Sequence, residues 1–267
     1  MCEFKGKTVF ITGIAKGQGR GVALAFARQG ANIAGIDLGC AIEYPKYNNS
    51  CSEDISKLKV ELDNLGVESC LNCGDIRNEA EVKSAVDSTI AKFATIDILF
   101  NNAGICAYAK AQEMLEAEWD SMIDINLKGA WLTAKHIIPY MINAKSGVII
   151  NNSSIAGLRG MNRLSHYAAS KWGMVGLTKS WAIELAPHNI RVLSIHPTGV
   201  GTPMNDGLAM LEGKSSEEIA EASAGNLINV PWIEVEDVAE AVLFLSSDKS
   251  RYMTGSQYVL DAGLLTR

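Results

Sequence analysis

Residues 7–38 read KTVFITGIAKGQGRGVALAFARQGANIAGIDL, and this stretch decides the fold. An apolar, β-branched run over 7–13 is followed by a glycine-rich turn, a segment of helical periodicity over 19–30 and a second apolar run over 31–38. Runs that stay apolar throughout, instead of alternating with polar residues, are typical of parallel strands covered by helices on both faces. The stretch therefore predicts a strand–helix–strand unit with a glycine-rich connection after its first strand.

The same alternation continues along the chain. Further apolar runs predict strands at 68–76, 97–104, 147–154, 190–197 and 257–263. Helical patterns separate them at 53–65, 79–93, 119–144, 166–186 and 235–246. Together they predict one α/β domain over 1–267, a doubly wound Rossmann fold with about seven parallel strands and helices on both faces. Two segments interrupt the rhythm, 39–52 after the second strand and 200–232 before the last helix.

Composition and charge exclude several classes of protein. The 267 residues are 48% hydrophobic and carry a net charge of −6, whereas a nucleic-acid surface needs a basic face. No run reaches the roughly 18 apolar residues of a membrane span, and the chain enters its first strand without a secretory leader. We therefore expect a cytoplasmic protein with no nucleic-acid or membrane partner, whose six cysteines are reduced. Cys70 and Cys73 lack a second pair or a nearby histidine, so we expect no metal site.

The glycine-rich turn and the end of the second strand predict a dinucleotide site. Gly13, Gly17 and Gly19 fall in TGIAKGQG, where glycines let the backbone approach a pyrophosphate at a helix N-terminus. Asp37 ends the second strand, and a carboxylate there accepts the ribose hydroxyls of NAD and repels the 2′-phosphate of NADP. Lys16 would favour that phosphate, but a lysine can remain solvated while the carboxylate would confront the phosphate directly. We therefore expect NAD, with a strand-end cap as the alternative role of Asp37.

A second motif, LSHYAASKWGMVGL at 164–177, places Tyr167 and Lys171 four residues apart. On a helix this spacing puts both side chains on one face, one turn apart. A free tyrosine, with a pKa near about 10, is a poor base at neutral pH. The charge of Lys171 is expected to lower the pKa of Tyr167, and a lowering of about three units corresponds to about 4 kcal/mol. The pair therefore predicts proton transfer during oxidation of an alcohol or reduction of a ketone.

Taken in order, the motifs of the chain resemble those of a classical short-chain dehydrogenase/reductase from Lys7 to Gly263. They are TGxxxGxG at 12–19, CGDI with Asp75, NNAG at 101–104, IN with Asn126, NSS ending at Ser154, and Tyr167 with Lys171. The resemblance implies a catalytic set of Asn126, Ser154, Tyr167 and Lys171. In that set Ser154 donates to the substrate oxygen, Lys171 also holds the nicotinamide ribose, and Asn126 positions a water that passes the proton to solvent.

The resemblance also implies the contacts of the cofactor. Asp75 and Ile76 flank the adenine, residues 102–104 pack beneath the cofactor, and the stretch HPTGVGTPM at 196–204 surrounds the nicotinamide. In that stretch the Val200 backbone binds the carboxamide. The full set is Gly13, Lys16, Gly17, Gln18, Gly19, Asp37, Leu38, Asp75, Ile76, Asn102, Ala103, Gly104, Tyr167, Lys171, Pro197, Thr198, Val200 and Thr202.

Three details are similar to the carveol-dehydrogenase-like branch of that family. They are Thr198 where many relatives have glycine, PM after Thr202, and the IDL…EYP insertion after the second strand. Some members of that branch retain their nicotinamide tightly and use a separate redox partner, and a redox partner for this chain is expected only if it retains its cofactor in the same way. It also implies a homotetramer in which the helices near 119–144 and 166–186 form one shared interface.

The segment over 200–232 is expected to be a substrate flap. Apolar residues are set among polar ones there, namely Met204, Leu208, Met210, Leu211, Leu227 and Trp232, and Lys214 is its only lysine. Such a flap can close an apolar pocket and exclude water, which predicts a bulky, apolar, alicyclic alcohol or ketone as substrate. A hydroxysteroid (bile acids included) and a terpenoid alcohol remain open. The alternatives are a flap that merely packs on the core, and a sugar, polyol or 3-oxoacyl substrate.

Two other classes of protein would share part of this pattern. A nucleotide-sensing regulator of the same fold would generally lack the tyrosine or the lysine, and both are present. A sugar-nucleotide epimerase would share the pair but carry a further C-terminal substrate domain. His166 and His196 are not expected to be catalytic. On a helix His166 points about 100° away from Tyr167, which leaves open a place for it at the border of the substrate pocket.

Overall fold

The predicted strand–helix–strand unit is present in the computed structural model of the chain, which describes residues 2–47, 51–223 and 225–266. Strand β1 (Thr8–Thr12) leads through the glycine-rich turn to helix α1 (Gly17–Arg28), which returns to strand β2 (Asn32–Asp37). The two strands pair in parallel. Strand β1 is buried along its whole length, which explains why its sequence is continuously apolar.

Five further strands extend the sheet on both sides of β1. They are β3 (Ser69–Cys73), β4 (Ile98–Asn101), β5 (Gly147–Asn152), β6 (Ile190–Pro197) and β7 (Gln257–Leu260). The strand order is β3-β2-β1-β4-β5-β6-β7, and every neighbouring pair is parallel. The predicted doubly wound fold with seven parallel strands is confirmed. The order of succession reverses between β1 and β4, so the carboxyl ends of these two strands flank a crevice.

Helices cover both faces of the sheet. They are α2 (Ser52–Asn64), α3 (Glu79–Phe93), α4 (Glu116–Ile123), α5 (Gly129–Ala144), α6 (Ser165–Leu185), α7 (Pro203–Leu211), α8 (Ser216–Ser223) and α9 (Val235–Ser246). One apolar cluster joins Ile11 of β1 to α1 and α9, and a second joins Phe10 to α3, α5 and α6. Neighbouring residues of β1 thus serve opposite faces, as strand geometry requires. Within the described ranges, no helix is long and apolar enough to cross a membrane.

The helix predicted over 119–144 is interrupted. Helices α4 and α5 are joined by a π-helical turn, Asp124–Lys128, in which the Gly129 N–H bonds the Asp124 carbonyl five residues back. A π turn takes up one residue more than an α-helical turn and is frequent at functional sites. Here it presents Asn126 to the segment after β4, where its side-chain Oδ1 and Nδ2 bond the Ile105 N–H and C=O at 2.8 and 2.9 Å. The Asn126 side chain therefore fastens α5 to that segment.

Candidate active site

A cleft of about 480 Å³ opens where β1, β2, β3 and β4 end. This is the point at which the strand order reverses, where ligands of open α/β sheets bind. The predicted residues that line it are Gly13, Lys16, Gly17, Gln18, Asp37, Leu38, Asp75, Ile76, Asn102, Ala103, Gly104, Tyr167, Lys171 and Thr202. Ile42, Tyr47 and Arg77 line it as well, and the sequence did not single them out.

The glycine-rich turn is packed as tightly as a pyrophosphate cradle requires. Gly13 and Gly17 have φ of +64° and +49°, a region that residues with a Cβ rarely adopt. Gly19 lies beneath the turn, and a Cβ added there would stand 2.1 Å from the Gly13 carbonyl oxygen. The turn can therefore keep this shape only with glycine at position 19, and it brings the N-terminus of α1 to the cleft.

A network of amides braces the turn from below. The Asn102 side chain donates to the carbonyls of Thr12 and Gly13 at 2.9 and 3.1 Å. The Thr12 hydroxyl in turn accepts from the backbone N–H groups of residues 102 and 103, both at 2.9 Å. Asn152 donates to the side chains of Asn102 and Gln18 at 3.0 and 2.9 Å. The ends of β1, β4 and β5 are thus tied together at the floor of the cleft.

Asp37 lines the cleft and also shapes it. Its Oδ2 accepts from the Ala15 N–H at 2.9 Å, and the Leu38 and Gly39 amides also bond the carboxylate. Burial raises the pKa of Asp37 despite these hydrogen bonds and the nearby charge of Lys16. Lys16 is partly exposed, and its Nζ lies 2.9 Å from the Asp54 carboxylate of α2. The lysine charge is therefore compensated within the protein.

Asp75 is held by a neighbour that the motif did not include. The Arg77 Nε lies 3.0 and 2.8 Å from the two Asp75 carboxylate oxygens, and the Arg77 backbone N–H donates to Oδ1 at 2.9 Å. Burial raises the pKa of Asp75, but the hydrogen bonds from Arg77 outweigh it and hold the pKa below its ordinary value. A planar guanidinium therefore stands at the end of the cleft where the resemblance places the adenine.

Ser154, Tyr167 and Lys171 converge at the inner end of the cleft. The Ser154 hydroxyl hydrogen-bonds the Tyr167 hydroxyl and accepts from the Ala156 N–H at 3.1 Å. The Lys171 Nζ donates to the Asn152 carbonyl at 2.7 Å and lies 5.5 Å from the centre of the Tyr167 ring. The spacing on α6 thus brings the Tyr167 phenol and the Lys171 ammonium together beside the cofactor cleft, and the segment after β5 adds the Ser154 hydroxyl.

The electrostatics of this trio differ from the expectation. Burial raises the pKa of Tyr167 and the nearby Cys106 thiol adds to the rise, while the Ser154 hydroxyl opposes it. Burial lowers the pKa of Lys171 to about 8. The predicted lowering of the phenol pKa by Lys171 is therefore wrong for the protein's own groups. The reason is desolvation: Lys171 is buried and Tyr167 is partly buried, which disfavours the charged form of each.

The stretch after β6 is anchored chiefly by its own backbone. Pro197 ends β6 opposite Leu260, and the Thr198 N–H bonds the Leu260 carbonyl at 3.0 Å. The buried Val200 pairs with Ile233, and its carbonyl accepts from the Asn205 Nδ2 at 2.6 Å and from the Thr202 hydroxyl at 3.3 Å. A carboxamide contact at Val200 would therefore use its N–H. Of the residues predicted in this stretch, Thr202 reaches the cleft wall.

An apolar cluster adjoins Tyr167 on the side away from the glycine-rich turn. Cys106, Leu164 and Leu208 are buried in it, and the partly buried members are Tyr47, Tyr108, Met161, Tyr167 and Met204. Met204 and Leu208 thus take the position expected of the flap. Met210 also lines the cleft. Leu211 and Leu227 are exposed, and Trp232 packs on Gly199, where a Cβ would stand 2.2 Å from its ring. These three side chains do not line the cleft.

Tyr47, from the insertion after β2, closes this cluster. Its hydroxyl donates to the Cys106 carbonyl at 2.6 Å and accepts from the Cys106 N–H at 3.3 Å. Its ring lies against Gly207 of α7, where an added Cβ would stand 2.2 Å from the ring. The insertion therefore reaches both the segment after β4 and the flap. A second tyrosine in the insertion, three residues after Tyr44, is the signal that could have indicated it.

We expect Tyr47→Phe to lower kcat/KM for the alcohol by about fivefold to thirtyfold, because it removes two hydrogen bonds, each with a net contribution of about 1 kcal/mol, but keeps the ring. Gly207→Ala should lower kcat/KM further, since the new methyl overlaps the ring. Tyr252→Phe is the matched control, because Tyr252 is 90% exposed. Steady-state kinetics measure all three, and unchanged values for both Tyr47→Phe and Gly207→Ala would contradict a role of this contact.

His166 is withdrawn from the pocket that it could have bordered. It is fully buried, and its Nε2 lies 3.0 Å from the Tyr44 hydroxyl of the insertion. Burial lowers its pKa. Its ring therefore anchors the insertion on α6 instead of facing the cleft.

The sequence of this chain is similar to known proteins over nearly its whole length. A family model described as enoyl-(acyl carrier protein) reductase matches residues 13–265. The (−)-trans-carveol dehydrogenase of Rhodococcus erythropolis is 37% identical over 273 residues, which cover 98% of this chain and 99% of that protein.

Solved structures agree over the same extent. The crystal structure of carveol dehydrogenase from Mycobacterium avium in complex with NAD has a TM-score of 0.95 and 37% identity, and covers 99% of each chain. A short chain dehydrogenase from Mycobacterium paratuberculosis bound to NAD has a TM-score of 0.93 and 31% identity, and covers 99% of this chain and 100% of that one. The fold is thus shared with these proteins over nearly their full length.

Proposed function

Because the chain belongs to the short-chain dehydrogenase/reductase family, we propose that it is an NAD-dependent oxidoreductase that interconverts a secondary alcohol and a ketone. One observation carries this proposal. The hydroxyls of Ser154 and Tyr167 are hydrogen-bonded to each other beside the buried ammonium of Lys171, at the inner end of a cleft shaped for a dinucleotide. The NAD-bound relatives support the cofactor.

The residues present fit this cofactor. Gly19 leaves room that a Cβ would fill, the N-terminus of α1 faces the cleft, and Asp37 stands where an adenosine ribose would lie. Bound NAD⁺ would supply the acceptor for the hydride that leaves the carbinol carbon. Tyr167 would take the hydroxyl proton of the alcohol, and Ser154 would hold its oxygen. Lys171 would hold the ribose and stabilise the phenolate while it is charged, and a water held near Asn126 would pass the proton to solvent.

We expect the wild-type protein to have a higher kcat/KM with NAD than with NADP. Asp37→Asn should lower the ratio of these two values by at least about tenfold, which corresponds to about 1.4 kcal/mol. The asparagine oxygen can still accept from the Ala15 N–H, so the turn keeps its hydrogen bond while the repulsion of a 2′-phosphate is lost. Lys16→Met is the control, because the lysine is already paired with Asp54 and should leave the preference in place. The ratio of kcat/KM for the two cofactors measures it. Equal or better wild-type turnover with NADP would show that Asp37 does not set the choice.

The substrate that we propose is a bulky, apolar, alicyclic alcohol, either a hydroxysteroid (bile acids included) or a terpenoid alcohol. The support is the cluster of Cys106, Leu164 and Leu208 beside Tyr167. A phosphorylated or thioester substrate would want a cation at the pocket, but Arg163 is bound there by both Glu212 carboxylate oxygens, at 3.1 and 2.6 Å. The carveol dehydrogenase relatives support the terpenoid arm.

A panel of alcohols tests the proposed substrate class. It contains hydroxysteroids, monoterpenols, short diols, sugars and 3-hydroxyacyl thioesters, and kcat/KM is measured by the absorbance of the reduced cofactor. We expect the highest kcat/KM with an alicyclic alcohol. The family model named for an acyl-carrier-protein reductase makes the thioester the sharpest rival. A thioester or sugar that exceeds every alicyclic alcohol by about tenfold (1.4 kcal/mol) would contradict the proposal.

We further propose a single domain over 1–267 with a flap at 200–232, and a separate redox partner if the cofactor is retained.

We also propose that the protein assembles as a homotetramer. The support for this assembly is a set of exposed apolar side chains on α4, α5 and α6, namely Trp119, Trp131, Tyr140, Trp172 and Ile183. Large exposed apolar residues on adjacent helices are typical of an interface. Light scattering measures the assembly, and release of cofactor on dilution measures its retention.

A further inference from the structure

His196 lies directly behind Ser154 in the sheet and is fully buried. Its Nδ1 is 2.7 Å from the Ser154 carbonyl oxygen, and its Nε2 is 2.9 Å from the Ser194 hydroxyl. Both ring nitrogens therefore have a partner, and the ring has one orientation. The predicted catalytic set assigns this histidine no task.

The partners decide where the protons lie. A carbonyl oxygen can only accept, so the His196 Nδ1 carries the hydrogen and donates it to Ser154. The Nε2 is then an acceptor, and the Ser194 hydroxyl donates to it. Burial lowers the pKa of His196, and the charge of Lys171 lowers it further, so the ring is neutral and holds this tautomer.

The ladder between β5 and β6 ends just before Ser154. Its last bond runs from the Ser153 N–H to the Ile195 carbonyl at 2.9 Å. In this register the Ser153 carbonyl would accept next from residue 197, but Pro197 has no N–H. The Ser154 carbonyl, two residues beyond β5, accepts from the His196 side chain.

We propose that His196 is a positioning residue for Ser154. By holding the Ser154 carbonyl, it fixes the peptide plane at the end of β5 and aims the Ser154 hydroxyl at the Tyr167 hydroxyl. The backbone of Ser154 is extended, with φ −173° and ψ 167°, and the next residues turn away in a short 3-10 helix, Ile155–Gly157. Without the His196 bond, the Ser154 carbonyl would lose its hydrogen bond to β6. This inference rests on the role proposed for Ser154.

Two variants of similar size test the inference. In His196→Asn the amide nitrogen takes the place of Nδ1 and can still donate to the Ser154 carbonyl, whereas in His196→Gln it takes the place of Nε2 and reaches Ser194. We expect the asparagine variant to keep kcat within about threefold of wild type. The glutamine variant should lose about tenfold to 10²-fold, the cost of a misplaced reacting group. The dissociation constant for NAD should stay unchanged in both, because His196 itself does not line the cleft.

The pH profile of alcohol oxidation separates positioning from a loss of stability. Titratable groups around the Tyr167 hydroxyl are Cys106 from the segment after β4, Tyr47 from the insertion and Lys171 on the same helix. The Ser154 hydrogen bond lowers the pKa of Tyr167, so a misaimed Ser154 should move the rising limb of kcat to higher pH. His196→Gln should show this shift and His196→Asn should not.

Ser154→Ala separates the role proposed for Ser154 from the role proposed for His196. If it retains wild-type kcat, the role proposed for Ser154 fails, whatever the histidine variants do. If it is inactive while His196→Gln and His196→Asn have the same kcat and the same pH profile, the positioning role of His196 alone is overturned. A loss in His196→Gln with the alkaline shift, together with recovery in His196→Asn, supports it.

Discussion

Tyr167→Phe is expected to abolish turnover, with kcat falling by about 10²–10⁴-fold, the usual contribution of a general acid–base group. The hydroxyl of Tyr167 is the group that would exchange a proton with the substrate, and phenylalanine removes it while the ring stays packed on the apolar cluster. Cofactor affinity should change little, because the glycine-rich turn and Asp37 lie at the other end of the cleft. Steady-state kinetics and NAD titration together measure the effect.

Tyr252→Phe serves again as the control, since this exposed hydroxyl takes part in neither site. The folded fraction of both variants is compared by thermal unfolding. If Tyr167→Phe keeps more than about a tenth of the wild-type kcat, a loss below the 10²-fold expected of such a group, then Tyr167 is not the proton-transfer residue.

Lys171→Met is expected to damage both rate and cofactor binding. Methionine is of similar length but cannot donate, so the Asn152 carbonyl loses its 2.7 Å partner and the ribose loses its ammonium. We expect kcat to fall by about 10²–10³-fold, as when one preorganised donor is removed from a developing charge. The dissociation constant for NAD should rise about tenfold (1.4 kcal/mol). The loss should be largest below the Lys171 pKa of about 8, because the wild-type ammonium is charged there.

Lys179→Met, two turns along α6, is the matched control because Lys179 is exposed. It should leave both quantities unchanged. Equal NAD affinity in Lys171→Met and wild type would remove the ribose contact from the proposal, and an unchanged kcat would remove the stabilisation of the phenolate.

The sheet could be predicted because strands that are buried on both faces have continuously apolar sequences. A run such as residues 7–13 stays apolar only if helices cover both of its faces, and the loops between runs set the order. The same holds for Tyr167 and Lys171, whose four-residue spacing on one helix brings them together locally. Ser154 follows because it ends the neighbouring strand.

What could not be predicted depends on contacts between distant segments. Tyr47 meets Cys106 and Gly207, and no periodicity in the insertion indicates those partners. Arg77 meets Asp75 within a turn, which a motif read as single positions overlooks. The pKa of Tyr167 depends on how deeply the finished fold buries it, and that depth also reversed the expected direction for the protein's own groups.

The π turn at Asp124–Lys128 also sets the phase of two helices. In an uninterrupted α-helix, Trp119 and Trp131 would lie roughly 120° apart around the axis, since twelve residues span three and a third turns. The extra residue of the π turn absorbs about one step of roughly 100° and brings the two indoles within roughly 30° of each other. Both indoles are exposed. Deleting one residue from the turn would therefore release Asn126 from Ile105 and rotate one indole away from the other. The single extra residue thus links the position of Asn126 in the candidate active site to the position of the two tryptophans on the outer surface.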